Sequence, residues 1–176
     1  MNLKKIMRLC SAEKTCYILR NPITAKQWIG TRSALYPVEG VELSDSMIPY
    51  LFGIEEGDRE DWVIEERMGG VPQIEITDDD PRAELWGNIA INWHGNEYVP
   101  LMRKDKAGEI DRVFWIRADA IGPALMKGRA IDYRMRGDIA LFGIGLLANG
   151  AAATLEGAAA EEIREMLRGV MGADWD

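Results

Sequence analysis

The side chains best suited to recognition chemistry in this sequence are arginines that end or interrupt apolar runs and have an aromatic residue close by. Arg20 follows Tyr17, Arg32 lies near Trp28, Arg117 follows Trp115, and Arg134 and Arg136 lie beside Tyr133. A guanidinium fork grips a phosphate through two parallel hydrogen bonds, and an aromatic face stacks on a base. Arg20, Trp28, Arg32, Trp115, Arg117, Tyr133, Arg134 and Arg136 therefore form a candidate binding set of nucleotide size. The competing reading is plain: the aromatics fill the core, and strand-end arginines are solvated or pair with acidic residues.

Other chemistries find less support. The single histidine, His94, falls in Trp93-His94-Gly95-Asn96, a turn pattern, so Ser/His/Asp or Cys/His catalysis would have to run through an exposed turn residue. Asp78-Asp79-Asp80, with Glu75 and Glu84 nearby, offers oxygens for a hard cation but lacks the alternating spacing and internal glycine of a calcium loop. It reads as a solvated acidic loop. Gly143-Ile144-Gly145-Leu146-Leu147-Ala148 matches the start of a dinucleotide fingerprint, yet no strand-to-helix step follows it. No Walker-type phosphate loop is present. Cys10 and Cys16 are the only cysteines and read as reduced, partly buried thiols; with one histidine they supply too few ligands for a zinc site. No catalytic residue, metal ligand or cofactor is assigned.

The chain has 176 residues, 47% of them hydrophobic and 28% charged, which suits a single domain with a real core. The N-terminus carries Lys4, Lys5 and Arg8 without the apolar run of a signal peptide, and the stretch 139–155 is too short and too interrupted for a membrane span. The expected protein is soluble and cytoplasmic. Its net charge of −8 is uneven: residues 39–84 hold 15 acidic and 3 basic side chains, the remainder 14 acidic and 18 basic. Such a segment can imitate a nucleic-acid backbone or dock on a basic partner. Direct nucleic-acid binding is disfavoured, since no basic helix or strand rises above the acidic background.

These side chains must be positioned by short elements. Helices are expected over residues 2–10 (Leu3, Ile6, Met7 and Cys10 inward), from Ser44 to Gly53 (Met47, Ile48, Leu51 and Phe52 inward), and beyond Gly157, where Ile163, Met166, Leu167, Val170 and Met171 share one face. Strands are expected over 14–20, 27–31 and 33–38 (two strands, or one bent at Gly30, with Pro37 ending the ladder), 73–77, 85–93, 97–102, 110–116 and 131–136. Residues 57–68 suit a helix or a strand equally. A closing hairpin pairs 139–147 with 151–155 around Asn149-Gly150, a pair that tolerates the positive φ of a type I′ turn. The pattern predicts an α+β domain over residues 1–176. Its mainly antiparallel sheet is built from hairpins and covered by N-terminal, middle and C-terminal helices, with an acidic loop-rich segment at about 55–84. The glycines and alanines of the last hairpin suit close approach of another backbone, a homodimer contact.

The segment from Gln27-Trp28-Ile29-Gly30-Thr31-Arg32 through Leu35-Tyr36-Pro37-Val38-Glu39-Gly40, followed by Leu43-Ser44 and Leu51-Phe52-Gly53-Ile54, resembles a stretch in small uncharacterised proteins of phages and prophages of Gram-positive gut bacteria. The resemblance covers roughly the first 55 residues. It implies a viral accessory protein of the bacterial cytoplasm, without assigned chemistry, that interferes with host defence. Joined to the arginine set, it leads to the expectation of a non-enzymatic protein that sequesters a phosphorylated, nucleotide-derived signal. Two alternatives stand beside it: an acidic protein–protein inhibitor of a host factor, and a metal-dependent hydrolase.

Overall fold

Asn2 starts the first helix by accepting the Lys5 backbone N–H on its side-chain oxygen, satisfying one of the free donors of the first turn. This structure, a computed structural model, describes residues 2–68, 76–86, 89–125, 129–144 and 147–171, with the backbone alone for 147–149, 164 and 166–171. Helix α1 (Leu3–Glu13) ends where Lys14 turns left-handed, and it buries Ile6, Leu9 and Cys10. Strands β1 (Thr15–Arg20), β2 (Gln27–Gly30) and β3 (Ala34–Val38) follow. A 3₁₀ turn (Asp45–Met47) leads into α2 (Ile48–Phe52), which Gly53 closes at φ +64°. Another 3₁₀ turn (Glu56–Asp61) precedes β4 (Val63–Met68), resolving the 57–68 ambiguity into a turn and then a strand. The remainder comprises β5 (Arg82–Leu85), β6 (Ile91–Trp93), β7 (Asn96–Lys104), β8 (Ile110–Arg117), α3 (Ala118–Ile121), β9 (Asp132–Arg136), β10 (Ile139–Ile144), β11 (Leu147–Ala153) and α4 (Gly157–Met171).

The described strands form one sheet in the order β4-β1-β2-β3-β11-β10-β9-β5-β7-β6, with β8 on the other side of β7. Every pairing is antiparallel except β1 with β4. The protein is thus α+β, with a large, mostly antiparallel sheet and a few short helices. Alternation along the strands divides the side chains between two faces. On one face Ile18, Ile29, Tyr36, Phe142, Met135, Leu101 and Phe114 join Ile6, Leu9 and Cys10 of α1, Ile48 of α2 and Ala120 of α3 in a single cluster. On the other, Trp115, Tyr98, Met102 and Val113 pack with Ile163 of α4, and separately Trp28, Leu141 and Ala151 pack with Ile76. None of the described helices is long and apolar enough to cross a membrane.

Several local expectations are corrected. Asn149-Gly150 is not a turn: Phe142 pairs with Gly150 and Gly143 with Ala148, so Asn149 is the extra residue of a bulge inside β11. Gly150 is needed for space, since a Cβ there would lie 2.8 Å from Cδ1 of the Tyr36 ring. Residues 145–146, which join the two strands, lie outside the described residues. The two-residue turn with both φ positive is instead His94-Gly95 (+48° and +77°), between β6 and β7. The expected single strand over 85–93 is two strands, β5 and β6, which pair with different halves of β7. Pro37 lies inside β3, opposite Trp28; it is the β11 ladder that stops short of it, at Leu35. Met47 points outward at 41% exposure, and Leu9 takes a buried place that the helical pattern left out. Of the expected strand at 73–77, residues 73–75 lie outside the described residues, and Ile76 and Thr77 form no ladder.

Candidate functional site

Arg32 sits at the tip of the β2–β3 hairpin, and the tip is built to hold it. Gly30 approaches the turn so closely that a Cβ would fall 1.9 Å from the Ala34 carbonyl oxygen. That oxygen accepts the Thr31 N–H at 2.8 Å. The Thr31 and Ser33 hydroxyls lie 2.9 Å apart, and Ser33 Oγ donates to Glu13 Oε1 at 2.6 Å. The backbone of the tip is therefore fixed while the Arg32 side chain is free to reach across the outer face of β1. There its Nε donates to the Tyr17 hydroxyl at 3.0 Å. Arg67 lies over the same Tyr17 ring, 5.3 Å from the centroid, and pairs with Glu65.

A second group rises from β9. Arg136 sends Nε and a terminal nitrogen to the two carboxylate oxygens of Asp80, at 2.8 and 2.6 Å, a two-bond fork. Asp80 is anchored in turn by the Thr77 N–H (2.8 Å) and hydroxyl (3.0 Å), and its own carbonyl accepts Arg134 at 2.9 Å. Bonding to Arg136, together with the Thr77 donors and against the cost of burial, holds the Asp80 carboxyl down at about 2. Asp80 is 6% exposed, which corrects the expectation that the whole Asp78-Asp79-Asp80 run is solvated; Asp78 and Asp79 are exposed. Arg134 is buried as well, and its Nε has no hydrogen-bond partner.

Between these groups lies a cavity of about 350 Å³ over β3, β10 and β11. Its wall is alkyl, from Leu35, Leu141, Ala151 and Ala153, with Arg32 on one side and Arg136 on the other. Trp28 packs against Leu141 and Ala151 from the neighbouring part of the same face. The volume is within the range of small-molecule sites. Of the eight candidate residues, Arg32 and Arg136 line this cavity, Trp28 backs its wall and Arg134 shares Asp80 with Arg136.

The other four are elsewhere. Arg20 is bound by Glu42 (2.6 Å), Glu66 (3.1 Å) and the Leu43 carbonyl. Arg117 is bound by Glu13 (2.6 Å) and Asp119 (2.5 Å). Trp115 is 2% exposed among Tyr98, Met102 and Val113, and Tyr133 meets Phe142 edge-on at 5.9 Å with its hydroxyl pushed up by burial. For these four the structural alternative holds: core filling for the aromatics, acid pairing for the arginines.

The inward place of Asp80 and the alkyl wall are not among the features expected from the sequence. Thr77-x-x-Asp80 is a local signal for Asp80, since a hydroxyl residue three positions from a carboxylate is the spacing of a closed, self-bonded turn. For the wall there is none, because Leu35, Leu141 and Ala151 read as ordinary strand residues. His94 lies edge-on to Trp93 in its turn, with centroids 4.3 Å apart. Cys10 and Cys16 are free and fully buried; the contact with Cys16, together with burial, pushes the Cys10 thiol well above its ordinary range. Among the described residues no group of three or more His, Cys, Asp or Glu side chains is placed to hold a metal ion. No family model, curated protein or solved structure matches this chain.

Proposed function

We propose that the protein is a phage-type accessory protein that binds a small nucleotide-derived anion in this cavity and sequesters it from a host defence system. The observation that carries the reading is the pairing of two arginines with an alkyl wall in one cavity of nucleotide scale. Arg32 would hold the phosphate through its two terminal nitrogens, while the base lies against Leu35, Leu141 and Ala151. Binding without turnover suits these groups, because a guanidinium stays protonated and cannot take a proton from a substrate. The sheet supplies the rigid support and the helices its cover. Calorimetry against nucleotides, cyclic dinucleotides and ADP-ribose derivatives tests the reading. Saturable binding that Arg32→Ala removes supports it; no heat with any compound sinks it.

A second reading has its own observation. Tyr50 stands 90% exposed on α2, next to Met47, close in sequence to exposed Asp45, Glu55, Glu56, Asp58 and Glu60. An exposed aromatic anchor in a stretch rich in exposed acids fits a basic protein surface. A co-purified basic partner, released by salt and lost with Tyr50→Ala, would favour this inhibitor role over sequestration.

A further inference from the structure

We infer, granted the cavity as the binding site, that it selects a ligand with one negative charge beside an apolar ring, a phosphodiester such as a 3′,5′-cyclic nucleotide rather than a phosphomonoester or polyphosphate. The charges at the rim decide the preference. Arg32 bonds only the neutral Tyr17 hydroxyl, through Nε, and Glu65, the carboxylate that acts on it at longer range, is itself paired with Arg67, so both terminal nitrogens of Arg32 remain for an oxyanion. Arg136 already holds a carboxylate, giving Nε and one terminal nitrogen to the two oxygens of Asp80, so its charge is matched. Asp80 does not release it easily, because Thr77 donates twice to the same carboxylate and the group stays ionised down to about pH 2. Arg136 and Asp80 thus cancel, Arg134 is buried and is not part of the lining, and among the described lining residues Arg32 is the one cation without a bonded carboxylate.

A ligand with a single charge is neutralised there. A second negative charge would meet Leu35, Leu141 and Ala151, or the Asp80 carboxylate behind Arg136, and would lose its water without a counter-charge. Phosphodiesters carry one charge at all ordinary pH values, whereas a phosphomonoester gains its second charge near pH 6.

The test is calorimetry on the full chain at pH 7.5 with adenosine and guanosine 3′,5′-cyclic monophosphates, the matching 5′-monophosphates, ATP and the free nucleosides. The cyclic forms are expected to bind about tenfold or more tighter than the 5′-monophosphates, ATP and the nucleosides, with Arg32→Ala removing the difference from the nucleosides. Lowering the pH to 5.5 should strengthen 5′-monophosphate binding several-fold as it becomes a monoanion, and leave the cyclic forms unchanged. Asp80→Asn, if folded by circular dichroism, removes the negative charge that offsets Arg136 and should move the preference towards the 5′-monophosphates; the wild-type pH series stands without that variant. Tighter binding of a 5′-monophosphate or ATP by the wild-type protein overturns the charge selection but leaves the cavity as the site. Equal binding of nucleosides, or no binding at all, overturns both.

Discussion

Arg20 and Arg32 stand at opposite ends of neighbouring strands, each close to an aromatic, and in the sequence they look alike. In the fold their circumstances are opposite. Arg20 meets Glu66 because β4 runs parallel to β1, and it meets Glu42 from the loop after β3. Arg32 is carried by a tight hairpin tip to a phenol, with Glu65 acting on it only at longer range and no carboxylate bonded to it. The difference teaches that an arginine's use is decided by which carboxylates the tertiary structure brings to it. Spacing to an aromatic says little about that.

The comparison can be broken most violently at Gly30. Gly30→Ala places a methyl against the Ala34 carbonyl, so the hairpin tip must open, and a loss of about 3 kcal/mol in urea unfolding is expected. Asp80→Asn comes next. It takes the carboxylate away from Arg136 while leaving the backbone carbonyl that Arg134 uses, at a cost of about 2–3 kcal/mol, whereas Glu42→Gln at the exposed end of the Arg20 cluster should cost under about 1 kcal/mol. If the two substitutions cost the same, the contrast between the clusters fails. Acid should act through the same carboxylate. Its pKa is lower in the folded chain than the ~3.9 of an unfolded one, so its contribution is complete above that value. That contribution, about 1–2 kcal/mol, drains away as the pH falls from about 4 to about 2, and Asp80→Asn should flatten this part of the stability profile. The smallest effect on folding is expected at Arg32 itself: Arg32→Ala should move stability by no more than about 0.5 kcal/mol while abolishing ligand binding.

Much of the frame could be read from residue order. The presence of helices α1, α2 and α4, the strands β1, β8 and β9 and the α+β class follow from periodicity and punctuation, because each is a local property of a short stretch; on the expected face of α4 only Ile163 is among the residues whose side chains are described. The errors came where a residue type has two uses. Glycine after asparagine suits a positive φ, but Gly150 is there because the Tyr36 ring lies against it. Aspartate in a run of three suits solvent, but Asp80 turns inward to two arginines of a strand more than fifty residues away. The cavity could not be seen at all, since its walls come from β3 and from β10 and β11, which only the completed sheet makes neighbours.

That junction has a consequence for how the chain assembles. Most of the sheet grows by hairpins between strands adjacent in sequence, which close short loops quickly. The step that joins the N-terminal strands to the C-terminal ones is the β3–β11 ladder, only two residue pairs long, Ala34 with Ala152 and Leu35 with Ala151, across more than a hundred residues. Among the described strand pairings it closes the longest stretch of chain, which makes it the entropically most expensive one to form. The cavity straddles this seam, with Leu35 on one bank and Leu141, Ala151 and Ala153 on the other. An occupant there would act as a clasp: it would exist only on the closed sheet, and its binding would be felt as slower amide exchange along β3 and β11 before anywhere else.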